Sequence, residues 1–335
     1  MDNAVAYILI VLAGILNGSF ALPIKHLKER NNENILLIYA LLSFVILPWF
    51  LAWCTVPQIF AVYAATSAKV LSIMLVGGFI FGIGQVCFFL ALNFIGLSLG
   101  FIINLGLAIV LGSLLPYGFV HHHNIFSKCG LLTFIGASIA TAGILFSNRA
   151  GILHNRTWRR GTAKFFKVGL MLAILSGIAS AGQNCSFALT SAIQETALNM
   201  GATPFGSVSI MWPGFLSCSF IPYASYMIYL SIKNHTYQNC INNQSIKHFL
   251  FALFMSIFWY VSLLFYSKAT QLIGGLGPVI GWPLFMIMIL ITSTFWGWRY
   301  KEWAGASNQV KRALWSGLGF LMLSMILLGY CSTFT

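Results

Sequence analysis

Charge is what this sequence has least of. Asp, Glu, Lys and Arg make up 7% of its 335 residues, whereas 59% of the residues are hydrophobic. Soluble domains carry about 25% charged residues, so a globule of this composition would expose far too much apolar surface to water. The composition therefore excludes a water-soluble enzyme or binding module, and it indicates a protein whose outer surface is covered by lipid.

Acidic residues are the scarcer charged type, with 5 Asp and Glu against 18 Lys and Arg. The acids are Asp2, Glu29, Glu33, Glu195 and Glu302, and none lies at the centre of a long apolar run. The sequence also lacks a P-loop, a dinucleotide-binding glycine set, an HExxH motif and a nucleophile elbow. Because a membrane enzyme needs paired acids, bases or nucleophiles, we predict that the protein is not an enzyme and holds no cofactor.

Metal-binding patterns are also missing. The 7 cysteines include no CxxC pair, and most of them lie in apolar runs, where we predict small buried hydrophobic side chains. The run His121-His122-His123 has no Cys or carboxylate near it in sequence, and three adjacent side chains on regular structure point apart. We therefore predict a solvated loop at this run and no metal site.

Long apolar runs are what the sequence does contain. Ten of them are long enough to cross about 30 Å of hydrocarbon as helices, and in lipid each run must satisfy its own backbone hydrogen bonds. The first run has no basic segment before it and ends in Pro-Ile-Lys, so we expect a retained span rather than a cleaved signal peptide. The sequence thus predicts an all-α polytopic membrane protein. Its spans are predicted at 4–24, 35–56, 70–92, 98–119, 129–147, 168–191, 205–232, 248–267, 279–298 and 313–331.

The positions of the basic residues predict how the chain sits in the membrane. If the ten spans alternate in direction, 15 of the 18 Lys and Arg lie in loops on one side, and Lys69, Lys128 and Lys268 lie on the other. Basic loops are retained in the cytoplasm, so the first set is predicted to be cytoplasmic and both termini to be outside. These loops explain the net charge of +13 without a nucleic-acid partner.

Two short internal sequence similarities relate the first half of the chain to the second half. Asn17-Gly-Ser-Phe-Ala-Leu22 in the first span recurs as Asn184-Cys-Ser-Phe-Ala-Leu189 in the sixth, and residues 95–100 resemble residues 273–277. We therefore predict two five-helix repeats, 1–150 and 151–335, within a single membrane domain. Since five is odd, the second repeat is inverted relative to the first, as in many secondary transporters with alternating access. Channels and membrane enzymes also contain repeats, so the pattern favours a transporter without proving it.

Polar side chains within the spans are costly in lipid unless they face the bundle interior or a water-filled cavity. Gln183 and Asn184 lie in the sixth span, and Asn17 occupies the position equivalent to Asn184 in the other half. Gln85 and Asn104 lie beside glycines in the third and fourth spans. We interpret these five amides as candidate substrate ligands. Hydrogen bonding between helices is the alternative role, and the sequence leaves both roles open.

Aromatic residues make up 15% of the chain. Many Trp and Tyr lie near span ends, where an interfacial belt explains them, whereas those within spans near Asn and Gln fit a sugar substrate. Sugars lay their C–H faces on aromatic rings while amides and carboxylates bond their hydroxyl groups, so Trp259, Tyr260 and Trp282, which lie within spans, are candidate sugar contacts. Proton coupling needs a protected carboxylate or histidine. The candidates are Glu195, between spans six and seven, and Glu302, which is better explained by a salt bridge with its basic neighbours.

Several short motifs extend from the first span to the tenth. They are Phe20–Lys28 (FALPIKHLK), Ile46–Trp49 (ILPW), Gly82–Gln85 (GIGQ), the glycine segment 95–106, Gly177–Gly182 (GIASAG), Trp259-Tyr260, Phe265-Tyr266 and Lys301–Trp303 (KEW). In their order and spacing, these motifs resemble the bacterial L-rhamnose/proton symporters, a branch of the drug/metabolite transporter superfamily.

The resemblance implies a ten-helix carrier in a bacterial cytoplasmic membrane that takes up a deoxyhexose with protons, sodium being the alternative coupling ion. It also implies that Glu195 corresponds to an acid that the family places between spans six and seven. This chain departs from the family pattern at two places where the family has polar residues. Before Trp282 the family has a Gln-Tyr-Asp-Tyr stretch where this chain has Gly275–Gly281, and Asn93 stands where the family has an Arg. These losses put the identity of the sugar in question, but not the architecture.

We therefore predict a secondary active transporter that imports a rhamnose-like sugar by alternating access. Its site is predicted to lie between the halves, and its partners are the sugar and the lipid bilayer; no oligomeric state is predicted. Two alternatives stay open: a drug/metabolite-type carrier of another small metabolite, such as an amino acid, and a non-transporting membrane sensor or scaffold. The predicted substrate ligands are Asn17, Gln85, Asn104, Gln183, Asn184, Trp259, Tyr260 and Trp282, with Glu195 as the proton-coupling residue.

Overall fold

A computed structural model describes residues 2–23, 33–120, 127–154, 163–236, 245–301 and 303–331. Within these ranges the chain forms helices and turns, and none of the described residues is in a β-strand. The helices are α1 (Asp2–Ser19), α2 (Glu33–Ala40), α3 (Leu47–Thr55), α4 (Ile59–Ala65), α5 (Ala68–Val120), α6 (Lys128–His154), α7 (Ala163–Leu189), α8 (Ala192–Asn199), α9 (Pro204–Ser209), α10 (Met211–Lys233), α11 (Ser245–Ile273), α12 (Gly277–Arg299) and α13 (Asn308–Cys331). A π-helical segment, Leu41–Ile46, joins α2 to α3.

The described ranges contain eight helical stretches that are long and apolar enough to cross a membrane. These stretches coincide with eight of the ten predicted spans. The first and fourth predicted spans coincide with shorter apolar helices, Ala4–Ser19 and Ile103–Phe119. The prediction of an all-α polytopic membrane protein is thereby confirmed.

Helix α5 differs from the prediction of two separate spans at 70–92 and 98–119. Its 53 residues are helical without a break, and a straight helix of that length would measure about 80 Å. The chain reverses instead. A Cβ added to Gly100 would lie 2.6 Å from Leu92 Cδ2, whereas eight residues of straight helix span about 12 Å. We call Ala68–Ile95, before this reversal, arm α5a, and Ile103–Phe119, after it, arm α5b.

Helix α7 packs against both arms, and its contacts give their directions. Residue numbers run in opposite directions along α7 and α5a, and in the same direction along α7 and α5b. The two arms are therefore antiparallel, as two successive membrane spans would be. The contacts are Ala179 with Gly84 and Ser186 with Gly77 for α5a, and Gly177 with Asn104 and Asn184 with Gly112 for α5b.

Close approach of α7 to α5b depends on Gly177. A Cβ added there would lie 2.8 Å from Leu107 Cβ and 3.1 Å from the carbonyl oxygen of Asn104. We expect Gly177→Ala to push the helices apart and to destabilise the protein by about 1–3 kcal/mol, as overpacking does. Thermal unfolding of the purified full chain in detergent measures this loss.

The matched control is Gly182→Ala in the same helix, because an added Cβ at Gly182 meets no atom within 4 Å. This control is expected to unfold at or slightly above the wild-type temperature, since Ala favours helix more than Gly does. Equal unfolding temperatures for the two variants would contradict the packing of α7 on α5b described above.

Candidate functional site

Asn184 of α7 lies between four helices, and its amide connects α7 to α5b, α11 and α12. The side chain is fully buried. Its Nδ2 donates to the carbonyl oxygen of Gly112 in α5b at 2.7 Å and to that of Pro278 in α12 at 2.8 Å, and its Oδ1 accepts a hydrogen bond from the Tyr266 hydroxyl of α11. Because both amide donors are used within the protein, Asn184 holds α5b, α11 and α12 against α7.

An aromatic cluster surrounds this connection. Trp282 is fully buried, and its Nε1 donates to the carbonyl oxygen of Ala108 in α5b at 2.9 Å. The ring centroid of Tyr266 lies 5.5 Å from that of Trp282 and 5.7 Å from that of Phe187. Phe187 in turn stacks on Trp212 at 5.6 Å. We call Phe187, Trp212, Tyr266 and Trp282 the aromatic cluster, and it joins α7, α10, α11 and α12.

Two other predicted amide ligands are bonded to serines of neighbouring helices. Asn17 Nδ2 donates to Ser262 Oγ at 2.8 Å, which ties α1 to α11, and Asn104 Nδ2 donates to Ser176 Oγ at 2.9 Å, which ties α5b to α7. Trp259 is also buried, and its ring packs on two rings of α2 and the π-helical segment. In this conformation these three residues contact protein groups on neighbouring helices.

Gln183 and Tyr260 differ from these residues. Both are buried, at 4% and 3% exposure, yet Gln183 Nε2 and the Tyr260 hydroxyl have no hydrogen-bond partner among the described residues. Buried polar groups are seldom left unpaired, so these two atoms are free to bond a ligand or water. Gln183 adjoins Asn184 on α7, and Tyr260 precedes Tyr266 by about 9 Å along α11. Gln85, on α5a, is half-buried.

A cavity of about 320 Å³ adjoins the aromatic cluster. It lies between the end of α7, helix α8 and the turn from α11 to α12. Phe187, a member of the aromatic cluster, lines the cavity directly, and so does Pro278, whose carbonyl oxygen accepts the hydrogen bond from Asn184. The volume is at the lower end for small-molecule pockets. The polar lining residues are Ser191, Gln194, Glu195, Thr270 and Gln271.

Glu195 supplies the carboxylate of this cavity. It lies near the beginning of α8, and its side chain is exposed. The positive end of a helix dipole favours an acid in the first turn, which explains why a charged group is tolerated at the end of the bundle. Glu195 is therefore close to the aromatic cluster and still accessible to protons from the side on which the cavity opens.

The amide of Gln271 is held in a fixed orientation on the cavity wall. Lys268 Nζ donates to Gln271 Oε1 at 2.6 Å, and Gln271 Nε2 donates to Ser207 Oγ at 3.2 Å. Gln271 and the other neutral polar residues of the cavity lie at the ends of spans, so they are not among the residues predicted from the sequence. The adjacent polar pairs 194–195 and 270–271 are the signal that could have identified them.

Two sequence interpretations fall outside the described residues. The histidine run at 121–123 and the salt-bridge candidate Glu302 both lie there. Among the described residues, no group of three or more His, Cys, Asp or Glu side chains is arranged to hold a metal ion.

Comparison with known proteins gives one consistent result. A family model described as L-rhamnose-proton symport protein matches residues 1–332. The chain is 26% identical to the L-rhamnose-proton symporter of Citrobacter koseri, over 92% of each chain. It is also 26% identical to the protein of the same name from Yersinia pestis, over 98% of each chain, and to that from Pectobacterium atrosepticum, over 92% of each chain. The similarity therefore extends over nearly the whole length of both chains.

Proposed function

Because this chain belongs to the family of L-rhamnose-proton symport proteins, we propose that it carries L-rhamnose, or a closely similar deoxyhexose, into the cell together with protons. The family match over residues 1–332 is the observation that carries this proposal. The protein is a multi-pass membrane transporter and not an enzyme. The names of its relatives give no support to a carrier of a different metabolite or to a non-transporting sensor.

We further propose ten spans arranged as a 5+5 inverted repeat, 1–150 and 151–335, as in the drug/metabolite transporter superfamily. A two-fold relation between the halves requires that each contact between a helix of one half and a helix of the other have an equivalent contact when the halves are exchanged. Three such pairs support the repeat. They are α1–α12 (Gly18 with Thr292) and α7–α5b (Gly177 with Leu107); α1–α11 (Asn17 with Ser262) and α7–α5a (Ala179 with Gly84); and α2–α11 (Tyr39 with Ser256) and α10–α5a (Gly78 with Ser219).

The positive-inside rule gives the proposed orientation in the bacterial cytoplasmic membrane, with both termini outside. Helix α7 begins within the basic segment 149–167 of the sequence and ends at the cavity. On this topology the cavity therefore opens to the outer side, where an importer receives its substrate.

The cavity is the proposed point at which the sugar enters the site. Phe187 offers a ring for the C–H face of a sugar, and Ser191, Gln194 and Thr270 offer hydrogen-bonding groups for its hydroxyls. Such a combination of an aromatic surface with a few polar groups is typical of small-molecule sites. The unpaired Nε2 of Gln183 lies deeper, and is proposed to bond the sugar after the aromatic cluster rearranges.

Glu195 is the proposed proton-coupling residue, and the proton is preferred over sodium as the coupling ion because the relatives are named proton symporters. The carboxylate accepts a proton from the outer side, which removes its charge before the cavity closes. Burying the neutral acid costs far less free energy than burying the anion. Sugar binding and protonation would then favour the same closed state.

Replacing Gln194 tests the sugar-binding role of the cavity. We expect Gln194→Ala to raise the apparent KM for L-rhamnose about fivefold, the effect of losing one hydrogen bond, with an unchanged unfolding temperature because its side chain is only half-buried. Ser225→Ala is the control, because the Ser225 hydroxyl is exposed and bonds its own helix at Ile221. An unchanged KM for Gln194→Ala would exclude a direct contact with the sugar.

Uptake of labelled L-rhamnose tests the proposed function as a whole. Cells that lack their own rhamnose carrier and express this chain are expected to accumulate the sugar, and a protonophore is expected to abolish accumulation. Absence of uptake in cells with well-expressed protein would refute the assignment of the cargo. Accumulation that persists with the protonophore but requires sodium would refute the assignment of the coupling ion.

A further inference from the structure

Two polar contacts hold the proposed second and seventh spans together at their opposite ends. At one end, the beginning of α2 meets the end of α10 and the turn that follows it. At the other end, Thr55 of α3 meets α9: Thr55 Oγ1 and Ser209 Oγ are 3.4 Å apart, and a Cβ added to Gly206 would clash with the Thr55 carbonyl group. We call the first contact the inner latch and the second the outer latch. Each joins the beginning of one span to the end of the other.

The inner latch consists of three hydrogen bonds between α2 and the α10 end. Asn234 Nδ2 donates to Glu33 Oε1 at 2.6 Å, Asn34 Nδ2 donates to the carbonyl oxygen of Thr236 at 2.7 Å, and Ser231 Oγ donates to Asn34 Oδ1 at 2.9 Å. Hydroxyl groups and backbone suffice for the outer latch, but the inner latch contains a carboxyl group. The two latches therefore differ in whether a proton can act on them.

Glu33 is buried, at 7% exposure, and its Oε2 has no hydrogen-bond partner among the residues that the structure describes. Enclosing a carboxylate with an unpaired oxygen is costly, and either a proton or access to water removes most of this cost. Separation of α2 from α10 would hydrate Oε2. The charged form of Glu33 therefore favours an open inner end, and the protonated form favours a closed one.

Other charged or titratable groups belong to the elements that pack around the inner latch. Lys233 and His235 lie at the end of α10, and Lys247 and His248 at the beginning of α11. The Lys233 ammonium lies over the Tyr229 ring and the Lys247 ammonium over the Phe251 ring. Within the described ranges, Glu33 is thus the acid of the latch, and its bond to Asn234 joins the two spans.

From this geometry we propose that Glu33 is a positioning residue of the transport cycle, whose loss of a proton to the cytoplasm opens the inner latch. The proposal rests on the proposed function and on the orientation proposed with it, which places this end in the cytoplasm. Each opening releases one proton from the Glu33 carboxyl to the cytoplasm, and each closing takes one up. Internal pH, unlike external pH, would then control the rate at which the inner end opens.

Glu33→Gln tests the proposal, because the amide keeps an oxygen for Asn234 but cannot titrate. Hydrogen exchange of the full chain in lipid nanodiscs is measured for segments 33–40 and 226–236, at about pH 5 and about pH 8. After correction for the intrinsic pH dependence of exchange, wild-type exchange in both segments is expected to rise about fivefold with pH, the effect of one lost hydrogen bond. Exchange in Glu33→Gln is expected to stay constant. Asp2→Asn, which removes an acid at the beginning of α1, should behave as the wild type.

A transport measurement complements hydrogen exchange. Proteoliposomes with wild-type protein should show rhamnose exchange that depends on internal pH, and Glu33→Gln should show exchange that does not. An equal rise of hydrogen exchange in wild type and Glu33→Gln would overturn the proposal, even if rhamnose is transported. A rise seen only in the wild type, without rhamnose transport, would support the latch and refute the cargo.

Discussion

Glu195→Gln is expected to abolish accumulation of L-rhamnose against a gradient while leaving exchange of labelled for unlabelled sugar largely intact. Glu195 is the carboxylate of the cavity at the aromatic cluster, so its amide can still bond a sugar hydroxyl but cannot carry a proton. A potential of about 100 mV is worth about 2.3 kcal/mol per proton, which corresponds to a concentration ratio of about 50. Without coupling, the ratio of internal to external sugar should fall to about 1.

Proteoliposomes with an imposed proton gradient measure this ratio directly. Thr196→Ala is the matched control, because Thr196 is the next residue of α8 and its hydroxyl bonds its own helix at Ala192. The control should accumulate sugar as the wild type does. Accumulation by Glu195→Gln at the wild-type level would show that another group carries the proton, and Glu33 would be the next residue to replace.

Asn184 and Gln183 should respond in opposite ways to replacement by Ala, although they are neighbours and both buried. Asn184→Ala removes three hydrogen bonds to other helices. Such bonds within membranes contribute about 0.6 kcal/mol each, so we expect a loss of about 2 kcal/mol of stability. Gln183→Ala breaks no hydrogen bond of Nε2, because that atom has no partner among the described residues, and it removes an unpaired buried donor. Stability should therefore fall less than in Asn184→Ala.

Transport should be affected in the opposite order, more strongly by Gln183→Ala than by Asn184→Ala. Gln183→Ala is expected to reduce rhamnose exchange about tenfold, because a buried sugar hydroxyl would be left unpaired in the closed site. Thermal unfolding and exchange are measured on the same purified preparations. If Gln183→Ala transports normally, or if it is as unstable as Asn184→Ala, the proposal that Gln183 bonds the substrate fails. A non-transporting scaffold would show effects on stability alone.

Apolar length alone predicted where the helices lie, because a span in lipid must satisfy its backbone within itself. The reversal within α5 was located to within a few residues, between predicted spans ending at 92 and beginning at 98. The sequence did not predict that helical backbone continues through the reversal. The eighth span was predicted to end at 267, just before Lys268, yet α11 continues to Ile273. The partner of Lys268, Gln271, lies on the same helix.

The candidate site was harder to predict from the sequence than the helices were. Mid-span polarity identified Asn184, but its partners Gly112, Tyr266 and Pro278 are 72, 82 and 94 residues away, and two of them offer only backbone oxygens. The neutral polar residues of the cavity lie at span ends, where polar residues are expected for solvation. Glu33 was counted among the acids, but its burial depends on α10, about 200 residues later in the chain.

The most direct test of proton-coupled sugar transport is the pH change that the sugar itself causes. L-rhamnose is added to lightly buffered proteoliposomes that contain the purified chain, with no imposed gradient, and the external pH is recorded. We predict an immediate alkalinisation, because the sugar enters together with protons; it should be absent with Glu195→Gln and absent with a sugar that is not transported. Rhamnose entry at the same rate without any external pH change would contradict the proposed symport.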